Sequence, residues 1–118
     1  GHEVKEFESD PVLDSSLRWL IYEIVQSMID VCADVAVSLK LGLAESYRDY
    51  VVVLIKRNVM IEELGLALIE FVSLRNRLAH RYRYVTAAEL VEGARRLLTG
   101  IMPKFTDWVR EIVAEHGG

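Results

Sequence analysis

An apolar pattern with a helical period runs almost unbroken from residue 13 to about residue 41, and it commits this chain to an architecture built on one long helix. The apolar positions are 13, 17, 20, 21, 24, 25, 28, 31, 32 and 35, a repeat of 3.6 residues. Trp19, Tyr22, Ile29 and Val37 widen the stripe beyond half of the circumference. A helix with so wide a stripe is covered on two sides. One side reads as core, the other as a contact with a second subunit. Asp10-Pro11 starts the helix, with Asp10 as N-cap and Pro11 in the first turn. At ~1.5 Å per residue the helix is roughly 45 Å long. Gly42 reads as its C-cap.

Every other long segment also reads as helix. Ser46 caps a short one over about 47–57, and Asn58 breaks it. Its run Tyr50-Val51-Val52-Val53-Leu54-Ile55 has strand propensity, but the chain offers no second strand to pair with it. A third helix covers about 60–82, with Leu64, Ala67, Leu68, Phe71, Leu74 and Leu78 as its core stripe. Thr86 caps a fourth, with Glu89 at the capping-box position. It continues to about 115, and Gly100 and Pro103 should bend or divide it near 100–103. Short connections predict antiparallel neighbours. The expected fold is all-α, an antiparallel up-down bundle in a single domain over 1–118.

Composition narrows the setting. Hydrophobic residues make up 52% of 118, more than one modest core hides, which again points to a homodimer. No apolar stretch of 18 residues is free of charge, so no membrane span is expected. The first ten residues are polar and acidic, unlike a secretory signal, and Gly1-His2 reads as a cloning remnant. Cys32 is the one cysteine; it lies in the apolar pattern as a core thiol and suits a reducing cytoplasm. His2, His80 and His116 are far apart in sequence, so a structural zinc site is not expected. Asp30 and Asp34 share a helix face, but two carboxylates without further ligands read as structural or cleft-lining.

One segment carries chemistry. Residues 75–83 hold Arg75, Arg77, Arg81, Arg83 and His80 with no acid, although the net charge is −4. On a helix at ~100° per residue, Arg75, Asn76, Ala79, His80, Tyr82 and Arg83 share a sector of about 160°. Leu74, Leu78 and Phe71 face the other way. Such a set suits RNA cleavage without a metal. Histidine titrates near neutral pH and can serve as base or acid. Arginine is permanently charged and stabilises a crowded phosphorane-like anion. Asn76 can orient the imidazole or bind a phosphate oxygen. A second copy of the site in a dimer would supply both the acid and the base. The plainer reading stands beside this: basic residues near a helix C-terminus complement its dipole.

The segment Phe71-Val72-Ser73-Leu74-Arg75-Asn76-Arg77-Leu78-Ala79-His80-Arg81-Tyr82 resembles the signature of HEPN domains, and within them the HepT (DUF86) branch: Arg, four residues, His, one residue, Tyr. The flanks are similar too: Asp10-Pro11 with Arg18, then Gly42 through Ser46-Tyr47-Arg48-Asp49, Leu54 and Val59-Met60-Ile61. The resemblance covers about 8–115. It implies a dimeric helical bundle whose Arg and His motifs face one cleft, and a metal-independent endoribonuclease toxin. It also implies an MntA-type nucleotidyltransferase antitoxin that transfers AMP from ATP onto the motif tyrosine. By position, Arg75 and His80 would be catalytic, Asn76, Arg77, Arg81 and Arg83 would support RNA, and Tyr82 would accept AMP, with Tyr84 as its rival. Members usually carry one more helix before the segment that starts near Phe7, and the sequence lacks room for it. Two other functions stay open: a non-catalytic subunit that helps a nucleotidyltransferase bind nucleotide or substrate, and a purely structural dimerising bundle.

Overall fold

The structure is a computed structural model that describes residues 10–80 and 85–117. Among the described residues the elements are α1 (Pro11–Ser38), α2 (Tyr47–Lys56), α3 (Glu62–His80), α4 (Ala87–Arg96), a π-helical turn (Leu97–Ile101) and α5 (Met102–His116). The fold is all-helical, as the periodicity predicts. α1 starts where Asp10 stays extended and its carboxylate accepts from the N–H groups of Val12 (2.9 Å) and Leu13 (3.2 Å). Ser46 Oγ likewise accepts from the Asp49 N–H at 3.1 Å to start α2, and Thr86 Oγ1 from the Glu89 N–H at 3.1 Å to start α4.

α1 ends earlier than predicted, because its left-handed cap residue is Lys40 (φ 60°) and not Gly42. The Leu41 N–H reaches Ala36 O at 2.9 Å and the Lys40 N–H reaches Val37 O at 3.0 Å, the paired bonds of a Schellman cap. Leu41 packs on the core, the apolar contact that accompanies this cap. The turn therefore has to fall before Leu41. Gly42, at φ 102°, redirects the following loop instead. α2 closes the same way: Asn58 takes φ 59° and the Val59 N–H reaches Leu54 O at 2.9 Å. Met60 belongs to this cap, its N–H also bonded to Leu54 O. That is why α3 begins at Glu62 rather than near 60.

The strand-like run of α2 is helical and buries Val51 and Leu54. The core joins Ile21, Val25, Met28, Ile29, Cys32 and Ala36 of α1 to Leu64, Leu68, Phe71, Leu74 and Leu78 of α3. Full burial of each large aliphatic side chain contributes about 1.5–3 kcal/mol. Burial pushes the Cys32 thiol up to about 12, which fits an inert core thiol. On the other side of α1, Val12, Leu13, Trp19, Leu20 and Val37 are exposed. No described helix is long and apolar enough to cross a membrane.

The predicted interruption of the last helix takes the form of the π turn. Pro103 has no N–H to give and its ring crowds the carbonyl four residues back. The wider turn relieves this, with the Met102 N–H reaching Leu97 O. Beyond it, Trp108 and Phe105 are buried with ring centroids 5.5 Å apart. The Trp108 indole N–H donates to Val59 O at 2.8 Å, so α5 is pinned to the turn between α2 and α3. Gly100 faces open space where a Cβ would stand. Gly100→Ala should therefore stabilise the fold by about 0.5–1 kcal/mol, read as a higher midpoint in thermal unfolding.

Candidate active site at the end of α3

The last two turns of α3 carry the described part of the motif. Leu74 and Leu78 are buried, and this fixes the rotation of α3 about its axis. Arg75 is then turned toward α1 and half-buried, while Asn76, Ala79 and His80 face solvent. Arg81, Tyr82, Arg83 and Tyr84 lie outside the described residues.

Arg75 is held from three helices. Its Nε donates to Gln26 Oε1 at 3.0 Å and its Nη2 to the same oxygen at 2.6 Å. Nη2 also donates to the Tyr22 hydroxyl at 3.0 Å, and Nη1 to Asn76 Oδ1 at 3.0 Å. The guanidinium carbon lies 4.8 Å from the Tyr22 ring centre and 5.9 Å from that of Tyr47. Such stacking adds about 0.5–2 kcal/mol of cation–π attraction. Its partners among the described residues are neutral oxygens and aromatic faces. The positive charge is thus fixed in place with no described carboxylate bonded to it. Glu23, Asp30 and Glu70 interrupt the apolar pattern of the sequence and carry the charge to pair with Arg75 or Arg77 across helices. Asp30 instead accepts from Gln26 Nε2 at 2.9 Å, and Glu70 pairs with Arg96 at 3.0 Å.

His80 is the final residue of α3 and exposed. It shares a shallow groove of about 470 Å³ with Asn76, Arg77 and Arg48, floored by Ile69 and Val72. Arg75 reaches this groove through Asn76, whose amide oxygen accepts from Nη1. The structure thus brings Asn76 and His80 together and links Arg75 to them. Arg77 edges the same groove, but its guanidinium pairs with Glu89 of α4 at 2.8 Å. That carboxylate serves the α3–α4 contact, a use its capping-box position did not foretell. Among the described residues no group of three His, Cys, Asp or Glu side chains could hold a metal ion.

Sequence reasoning missed Gln26, Tyr47 and Arg48 as parts of the site, and read Tyr22 only as an edge of the apolar stripe. A signal for the first did exist: Tyr22, Gln26 and Asp30 recur every four residues along one ridge of α1. Gln26 and Tyr47 are themselves joined, with Gln26 Nε2 donating to the Tyr47 hydroxyl at 3.1 Å.

Comparison with known proteins gives one family and one fold. No curated protein sequence matches the chain. Among solved structures, a chain from a crystal structure of a toxin–antitoxin with AMP-PNP superposes with a TM-score of 0.75 at 20% identity. The alignment covers 94% of this chain and 80% of that one, and at this identity it speaks for the shared fold. The sequence profile of the family "Ribonuclease HepT-like" matches residues 1–112. That span contains both the α3 motif and the α1 ridge that holds Arg75, and the chain belongs to the HepT-like ribonuclease family.

Proposed function

We propose that this chain is the toxin of a toxin–antitoxin pair: an endoribonuclease that cuts RNA without a metal and acts as a homodimer in the cytoplasm. The observation that carries this reading is the fixed Arg75 guanidinium, bonded to no carboxylate among the described residues and linked through Asn76 to the groove where His80 stands. Family membership supports the ribonuclease part. The structural neighbour, a toxin–antitoxin with AMP-PNP, supports an ATP-using partner. We assign that partner as an MntA-type nucleotidyltransferase that places AMP on Tyr82.

The chemistry follows from the groups. An imidazole takes the proton from the ribose 2′-hydroxyl, and the freed oxygen attacks the adjacent phosphorus. The bond from phosphorus to the 5′-oxygen breaks, and a protonated imidazole supplies a proton to that oxygen. The product ends are a 2′,3′-cyclic phosphate and a 5′-hydroxyl. One His80 cannot perform both transfers at one instant, so the His80 of a second protomer supplies the other. Arg75 stabilises the extra negative charge that builds on the phosphoryl oxygens. The exposed Trp19, Leu20, Val12 and Leu13 offer apolar surface for self-association.

RNA cleavage in EDTA tests the reading. The purified dimer should cut single-stranded RNA at full rate in the chelator, and a deoxyribose at the scissile position should stop it. Cleavage that needs added Mg²⁺, or that proceeds through the deoxyribose, would rule out this mechanism. ATP binding that requires Arg75, with no RNA turnover, would instead favour the non-catalytic subunit.

A further inference from the structure

The side chain that grips Arg75 stands 49 residues away on α1. Gln26 Oε1 accepts from both Nε and Nη2, the two N–H groups that form the side fork of a guanidinium. Its own amide nitrogen is tied down twice, donating to Asp30 Oδ1 at 2.9 Å and to the Tyr47 hydroxyl at 3.1 Å. The amide therefore has one orientation. Turned over, it would set two donors against the guanidinium and an oxygen against Asp30. The Tyr22 and Tyr47 rings fix the plane of the guanidinium, and the Gln26 fork fixes its rotation within that plane. A long side chain rooted on α3 is thus ordered by α1 and α2 before any RNA arrives. The Nη1 atom is left pointing to Asn76 at the His80 groove.

We propose that Gln26 is a positioning residue for the cleavage described above, an inference that rests on the ribonuclease reading. A guanidinium already in place stabilises developing charge at one point without reorganising during the reaction. A mobile guanidinium still attracts RNA by its charge, yet spreads that charge over many places. Loss of the fork should therefore act on turnover and spare affinity.

Gln26→Met tests this, because it keeps the length of the side chain and removes the acceptor. RNA cleavage should lose about 10- to 100-fold in kcat, while KM stays within about twofold of wild type. Tyr47→Phe, which removes only a hydroxyl that steadies Gln26, should lose less in the same direction. A readout independent of cleavage is the Arg75 Nε–H signal in ¹⁵N-labelled protein. It should exchange slowly with water in wild type and broaden or vanish in Gln26→Met, with the thermal midpoint reporting that the variant is folded. An unchanged kcat with an unchanged Nε–H signal would overturn the proposal, as would a rise in KM alone. Should wild-type protein cut no RNA, the ribonuclease reading falls separately, and the Nε–H signal still decides whether Gln26 holds Arg75. Should Gln26→Met fail to fold, Tyr47→Phe carries both measurements.

Discussion

His80→Ala should lower RNA cleavage by about 10²–10⁴-fold, with the fold and the RNA affinity nearly unchanged. The argument starts from burial. His80 ends α3 and is exposed, so truncating it opens no cavity, and the expected stability change lies within about 0.5 kcal/mol. A loss of activity in a protein with a wild-type thermal midpoint then belongs to proton transfer rather than to folding. The plainer reading of a basic residue at a helix C-terminus predicts the reverse: a small fall in stability from the lost dipole interaction and no change in cleavage. One variant therefore separates the two. Arg75→Ala does not separate them so well, since it also removes a guanidinium packed on Tyr22 and bonded to Gln26. Arg75→Lys is the better companion. It keeps the charge, cannot make the fork, and should retain RNA binding while losing turnover.

The helices were legible because their signals are local. Asp10, Ser46 and Thr86 cap where their side chains and spacing say they should. Asn58 breaks α2 because Asn tolerates the left-handed backbone. The end of α1 was misread because tertiary packing outranks propensity. Gly42 was the better left-handed residue, but Leu41 is anchored on the core and forces the cap onto Lys40. The placement of the candidate site was legible on the same terms. The spacing of Arg75, Asn76 and His80 along one helix is a local fact, and α3 displays Asn76 and His80 on its open side. What holds Arg75 is not local. Gln26, Tyr22 and Tyr47 come from two other helices. A charge-minded reading expects a cation to meet an anion. Here Arg75 is held by neutral acceptors among the described residues instead.

Silencing by the partner should be as complete as the loss in His80→Ala. Co-expression with the proposed nucleotidyltransferase antitoxin should raise the intact mass of this chain by one, two or three AMP units. Tyr82→Phe should abolish that gain, and Tyr84→Phe should leave it. The reason lies in reach. Tyr82 and Tyr84 are outside the described residues, but Tyr82 is two residues beyond His80 in the chain. Two residues span at most about 7 Å, so the Tyr82 backbone stays within that distance of His80. A phosphodiester added there would bring negative charge toward a guanidinium that is bonded to no described carboxylate, where it would compete with an RNA phosphate. The nucleoside adds bulk to a groove of only about 470 Å³. Both effects exclude an RNA phosphate. The modified protein should therefore bind RNA weakly as well as fail to cut it, whereas His80→Ala binds normally. A modified chain that still cleaves RNA, or a mass gain that survives Tyr82→Phe and disappears in Tyr84→Phe, would move the acceptor or remove this form of control.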